Sequence, residues 1–164
     1  MKTNMNISKK HLILLGLILI SSINSGMITL KTNAATGRTY GGNGGSYFSD
    51  GRAGEIYQIR IRHGAYIDQI QTRNRWGGWN AAHGGFGGRQ NYWNVGNNDC
   101  ITAIKVRHGA YVDSLQFFTK YNKSTPKYGG NGGSYSYVNL WGGKCLRGIY
   151  GRSGAYVDQI GFYY

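Results

Sequence analysis

Apolar and charged side chains alternate in two similar stretches of the chain, Ile59 and Ile61 against Arg60 and Arg62, then Ile104 and Val106 against Lys105 and Arg107. A period of two is the mark of a strand with one buried face. The apolar positions resume after a short interval as Ile67 and Ile70, as Val112, Leu115 and Phe117, and in a third copy as Val157, Ile160 and Phe162. The interval is one pentapeptide in three versions: GAYID at Gly64 to Asp68, GAYVD at Gly109 to Asp113 and GAYVD at Gly154 to Asp158, spaced by 45 residues. Each is therefore predicted as the turn of a β-hairpin. Each also follows a glycine cluster, GGNGG at Gly41 to Gly45, GGFGG at Gly84 to Gly88 and GGNGG at Gly129 to Gly133. The chain thus reads as three internal repeats, about 41–83, 84–128 and 129–164, each carrying two special loops.

No window beyond the N-terminal segment has helical periodicity, and 28 glycines with 14 tyrosines favour strands and tight turns. Residues 36–164 are predicted to be all-β. A repeat of this size, with four short strands, cannot bury a sheet face alone, but three such faces can pack around a common axis. A prism or barrel of pseudo-threefold symmetry follows. Trp76, Trp79, Trp93 and Trp141 share no register, which predicts that most of them fill the interior and do not form a stacked binding row. Pro126, the only proline, marks the joint between the second and third repeats.

Residues 1–35 differ in kind. Lys9 and Lys10 precede an apolar run from Leu12 to Ile20, polar residues follow, and the segment ends in Ala34 and Ala35 with no acidic residue. That is the layout of an export signal, with the mature chain starting near Thr36, and it predicts a secreted protein, extracellular or periplasmic. A retained membrane anchor is the rival, disfavoured by the polar interruptions. Without the four lysines of that segment, the 19 basic residues fall to 15 against 6 acidic ones, a net charge of +9. Such an excess attracts anionic surfaces, although the arginines are spread over all repeats. Half of the six carboxylates are Asp68, Asp113 and Asp158, which points to a local use for them.

Cys100 and Cys145 are also 45 residues apart and hold equivalent repeat positions, where the first repeat has Glu55. Export permits a disulfide. Symmetry-related residues reach bonding range only close to the axis, so two free, partly buried thiols are the expected state. His63 and His108 recur but Ser153 breaks the series, and no second ligand stands at a useful spacing; no metal and no cofactor are expected.

The two loops together form a set suited to hydroxyl groups. Paired glycines let a ligand approach main-chain N–H groups, tyrosine offers a flat face with a polar tip, and aspartate offers two strong acceptors. Vicinal sugar hydroxyls are donor and acceptor pairs, and charge-assisted bonds to them are about twice as strong as neutral ones. The alternative duty of such aspartates is to cap their own turns. Arg62, Arg107 and Arg152, each two residues before a turn glycine, are read as structural and are left out of the site.

The C-terminal stretch GRSGAYVDQIGFYY, the clusters GGNGGSYF and KYGGNGGSYSY, and the three GxYxD turns resemble the jacalin-related lectins over the whole of residues 36–164. Because all three turns keep tyrosine and aspartate, the likeness is greatest to griffithsin-like lectins. The resemblance implies a jacalin-like β-prism I of three four-stranded sheets and a mannose or glucose ligand. It implies three carbohydrate sites: Asp158 with Gly154, Ala155, Tyr156 and Gly45; Asp68 with Gly64, Ala65, Tyr66 and Gly88; and Asp113 with Gly109, Ala110, Tyr111 and Gly133. In each, the carboxylate would accept hydroxyls 4 and 6, the two turn amides would donate, and the cluster glycine would meet hydroxyl 3. Phe86 and Arg89 depart from the pattern of the other clusters and predict that the Asp68 site differs in affinity or is partly closed.

The expected function is thus a secreted, non-catalytic lectin that engages mannose-rich glycoproteins or polysaccharides through several sites. A glycan-degrading enzyme would need two facing carboxylates, and each repeat offers one. A basic-surface binder of anionic envelope polymers is the other alternative; a nucleic-acid partner is not expected, since a phosphate reader would not place aspartate in every loop. The sequence leaves a homodimer open and implies no stable membrane insertion once the signal is removed.

Overall fold

The computed structural model describes residues 37–52 and 54–164; the signal segment and the expected cleavage position lie outside the described residues. Twelve strands form three four-stranded antiparallel sheets. The first sheet orders β1 (Tyr40–Gly41), β12 (Val157–Tyr163), β11 (Gly148–Ser153) and β2 (Ser46–Ser49). The second orders β5 (His83–Gly84), β4 (Ile67–Asn74), β3 (Ile56–His63) and β6 (Arg89–Asn94). The third orders β9 (Tyr128–Gly129), β8 (Val112–Thr119), β7 (Ile101–His108) and β10 (Ser134–Asn139). Each predicted hairpin is the central pair of one sheet, and the strands on either side of a glycine cluster form its two edges. This is the β-prism I architecture.

The alternation seen in the sequence is the burial pattern. Ile59, Ile61, Ile104, Val106, Leu115 and Phe117 point inward and are almost fully buried, while Arg60, Arg62, Lys105 and Arg107 lie on the outer faces. The core is built from hairpin side chains of all three sheets, with Ile67, Val112 and Val157 at one end and Leu140, Leu146, Ile149 and Phe162 among those completing it. A polar tie joins the first sheet to the second. Asp50, just past β2, accepts from Thr72 Oγ1 at 2.6 Å and lies 2.7 Å from His83 Nε2, and Phe48 stacks on the His83 ring. Burying that carboxylate is tolerable because both of its oxygens have partners.

Two expectations are corrected. The tryptophans do not fill the interior: Trp76 is 92% and Trp141 74% exposed, Trp79 lies on an outer face, and only Trp93 packs against the core, beside Phe117. Branched aliphatic and phenylalanine side chains from the hairpins already close the space around the axis. The cysteines, moreover, are bridged, with Cα atoms 5.4 Å apart. Leu146 N–H donates to Ile101 O and Leu146 O accepts from Ile56 N–H, each at 2.9 Å, so the residues just before them, Cys145, Cys100 and Glu55, meet at the axis. Closeness to the axis is the condition that makes a bridge between repeats feasible.

The disulfide closes a loop of 45 residues. On chain-entropy grounds it contributes about 4 kcal/mol. Urea unfolding of the Cys100→Ser, Cys145→Ser double variant should show a stability lower by about that amount, with an unchanged far-ultraviolet circular dichroism spectrum at zero denaturant.

Candidate carbohydrate site

The aspartate of each turn is placed by a β-bulge. In the second sheet His63 pairs with Ile67 but Arg62 pairs with Gln69, which leaves Asp68 as the extra residue. The same shift leaves Asp113 between Val112 and Ser114, and Asp158 between Val157 and Gln159. A bulge re-aims one side chain without disturbing the strand beyond it. The signal was present in the sequence: the inward positions Ile67 and Ile70, Val112 and Leu115, and Val157 and Ile160 are three apart, where an unbroken strand would have two or four.

The re-aimed carboxylates lie against the glycine clusters, and all three are more than nine-tenths buried. A Cβ built on Gly44, Gly87 or Gly132 would stand 2.3, 2.4 or 2.3 Å from Oδ1 of Asp158, Asp68 or Asp113. One on Gly45, Gly88 or Gly133, all with φ near +60°, would stand 2.6, 2.5 or 2.5 Å from Oδ2. Only glycine permits this contact. The structure thus brings together Asp158 with Gly45, Asp68 with Gly88 and Asp113 with Gly133, each beside an exposed Gly-Ala pair of the turn: Gly154 and Ala155, Gly64 and Ala65, Gly109 and Ala110.

Among the described residues no turn amide donates to the carboxylates of Asp68, Asp113 or Asp158. Gly64, Gly109 and Gly154 close the turns by donating to the carbonyls of Tyr66, Tyr111 and Tyr156 at 3.0, 2.9 and 2.9 Å. Asp158 Oδ2 is buried without any hydrogen-bond partner among the described residues. A buried acceptor left open in this way is unfavourable unless a ligand donor reaches it.

Each cluster is held from two directions. Gly42, Gly85 and Gly130 donate to the backbone carbonyls of Asp158, Asp68 and Asp113, all at 2.9 Å. From the other side, the Arg152 fork donates to the carbonyls of Gly44 and Gly45, that of Arg62 to Gly87 and Gly88, and that of Arg107 to Gly132 and Gly133, at 2.7 to 3.1 Å. With their carbonyls engaged by the guanidinium, the clusters keep a fixed backbone orientation beside the carboxylates. Sequence reasoning assigned these arginines a structural duty but missed its content; the constant offset from each turn glycine was the available signal.

The three sites share one end of the prism. Tyr66, Tyr111 and Tyr156 meet with ring centroids 5.1 to 5.5 Å apart, forming a cluster of their own in place of three separate walls. Neighbouring repeats also interlock there: Gly42 abuts the Ala110 carbonyl, Gly85 that of Ala155 and Gly130 that of Ala65. His63 Nδ1 accepts from Gly129 N–H at 3.1 Å, and the His108 ring meets Tyr40 edge-on. At the second cluster Phe86 stands 85% exposed, and the contacts of Gly85, Gly87 and Gly88 with Ala155 and Asp68 match those of the other two clusters.

Three buried carboxylates packed on paired glycines thus stand at one end of a β-prism. The jacalin-like lectin domain model matches residues 37–163, and the chain belongs to that family of non-catalytic carbohydrate-binding proteins. Among solved structures it is similar to Malaysian banana lectin, at 26% identity and a TM-score of 0.70 over 77% of this chain and 94% of that one. It is also similar to a mannose-binding jacalin-related lectin from Ananas comosus, at 26% identity and 0.69, and to Calystegia sepium agglutinin, at 27% and 0.68, each over 77% of this chain and 93% of the other. Among curated proteins none matches the chain by sequence.

Two outcomes are expected from this geometry. Arg152→Lys keeps the charge but loses the fork, and exchange of the Gly42 amide, which donates to the Asp158 carbonyl at the same cluster, should quicken about tenfold by NMR, in keeping with roughly 1.4 kcal/mol of lost anchoring. Burial, followed by the charge of Arg38, holds the His108 imidazole below its usual range against the opposing pull of Asp113. The unfolded chain then takes up the proton first, so stability falls as pH drops below about 6.5 and goes on falling to the folded-state value. Urea midpoints should decrease from pH 7 to pH 5, and less so in His108→Gln.

Proposed function

We propose that the chain is an exported lectin of the griffithsin-like kind, with three pockets for mannose- or glucose-type hexoses. In each pocket the bulged aspartate accepts two sugar hydroxyls, the amides of Ala155 and Tyr156, Ala65 and Tyr66, or Ala110 and Tyr111 donate, and Gly45, Gly88 or Gly133 meets a further hydroxyl. The observation that carries this reading is a buried carboxylate packed on paired glycines with an acceptor oxygen, Asp158 Oδ2, unused by the protein. Neutral vicinal diols match an acceptor flanked by donors, and an anion would meet repulsion from the aspartate. The Ananas comosus structure, described as mannose-binding, supports the choice of hexose. The layout of residues 1–35 supports export.

One pocket offers a handful of hydrogen bonds worth roughly 1 kcal/mol net each, which after the cost of association gives millimolar affinity in order of magnitude. The pockets sit at one end of the prism, around the tyrosine cluster, so branches of one glycan can occupy several of them. That raises avidity by about 100 to 10,000-fold. Mannose-rich glycoproteins or surface polysaccharides are the proposed partners.

Replacing Asp68, Asp113 and Asp158 together by alanine should abolish binding to immobilised yeast mannan, read by surface plasmon resonance, with the thermal midpoint within a few degrees of the parent. Single replacements should each remove one mannose equivalent from the stoichiometry. Mannan binding that survives the triple change would end this reading.

A further inference from the structure

The three pockets are alike at the aspartate and differ beside it. On the outer face of the third sheet, a cavity of about 170 Å³ adjoins the Asp113 pocket, lined by Lys105, Arg107, Ser114, Gln116, Lys127, Asn131 and Tyr135. It reaches the pocket through Asn131, at the centre of the glycine cluster, and through Arg107, whose fork holds Gly132 and Gly133. No carboxylate lines it. Both lysines are positioned by their neighbours: Lys127 Nζ donates to Asn131 Oδ1, and Lys105 Nζ lies 5.0 Å from the centre of the Phe118 ring. Neither forms an ion pair among the described residues. Tyr135, 54% exposed, offers its ring as a stacking wall.

The other two sheets lack this cavity chemistry at the matching positions. In the second sheet Lys105 is matched by Arg60, which lies over the Trp79 ring, and Tyr135 by Gln90, which is tied to Arg62 and Tyr92. Alanine, Ala82, stands where Lys127 does. In the first sheet Tyr150 takes the place of Lys105 and covers Gly161, where an added Cβ would fall 2.3 Å from its ring.

We propose that the Asp113 pocket has an extended subsite for a sugar carrying an acidic substituent, phosphate or carboxylate, one residue away from the hexose that Asp113 holds. The proposal rests on the lectin reading above. The Asp113 carboxylate repels an anion within the primary pocket, so the acidic group belongs to the neighbouring residue, where two unpaired ammonium groups stand on the cavity wall and the tyrosine ring can stack on the pyranose. The molecule then carries two general hexose pockets and one tuned to acidic glycans.

The test uses the Asp68→Ala, Asp158→Ala variant, in which only the Asp113 pocket remains, and three immobilised polymers: neutral mannan, phosphomannan and mannan oxidised to carry uronate. At low salt the variant should prefer phosphomannan, the oxidised polymer or both over neutral mannan by about tenfold, and adding Lys105→Gln with Lys127→Gln should bring the ratio close to one. Whichever acidic polymer is preferred identifies the substituent. Equal binding to all three polymers, or a preference that survives loss of both lysines, overturns the subsite. Absence of binding to every polymer by the parent protein would instead overturn the lectin reading beneath it.

Discussion

The arrangement of this end of the prism depends on one irregularity repeated three times: an extra residue in the second strand of each hairpin. The bulge takes Asp68, Asp113 and Asp158 out of the pairing register and sets their carboxylates against the glycine clusters. A regular strand would turn the aspartate toward the core or toward the open sheet face. The glycines then become obligatory, because any side chain at Gly44 and Gly45 or their counterparts would collide with the carboxylate. The arginine fork completes the constraint by engaging the carbonyls on the far side of the cluster. Sheet register, loop composition and the placing of a single charge are therefore one decision made in the backbone.

Threefold repetition carries this geometry further than one repeat could. Each glycine cluster touches the turn of a different sheet, and the three tyrosines share one contact at the axis, so each aspartate–glycine pair is braced by a neighbouring repeat. At the opposite pole the same convergence has a covalent form. Positions 55, 100 and 145 approach the axis, and two of them are cysteines. Both ends of the prism are thus fastened where the symmetry brings equivalent residues together.

The strands were legible in the sequence because alternation of Ile59, Ile61, Ile104 and Val106 with basic residues has a direct physical meaning on a half-buried sheet. The juxtaposition of each aspartate with a glycine cluster was legible too, since two loop types recurred at a fixed interval. What escaped were properties of the assembled axis. The disulfide looked doubtful because the distance between symmetry mates depends on radius, a quantity no linear spacing encodes. The tryptophans share no repeat register, which pointed to the interior, yet the interior closes with aliphatic and phenylalanine residues from the hairpins, leaving Trp76 in a turn and Trp141 in a short 3-10 helix, both exposed. The tyrosines read as separate flanks because their mutual contact exists only once three turns meet.

The first sheet is assembled from both extremes of the described chain, with Tyr40 on β1 opposite Ile160 on β12 and Phe48 on β2 opposite Gly151 on β11. The other two sheets each draw on one continuous stretch. During synthesis those two can begin to pair as they emerge, whereas the first must wait for its last strands and must close a loop of more than a hundred residues. The Asp158–glycine pairing, made of Gly44 and Gly45 from one extreme and its aspartate from the other, is the last of the three to mature, and a chain that stalls before its final strands would leave β1 and β2 without any partner strand, their backbone groups open to wrong pairing.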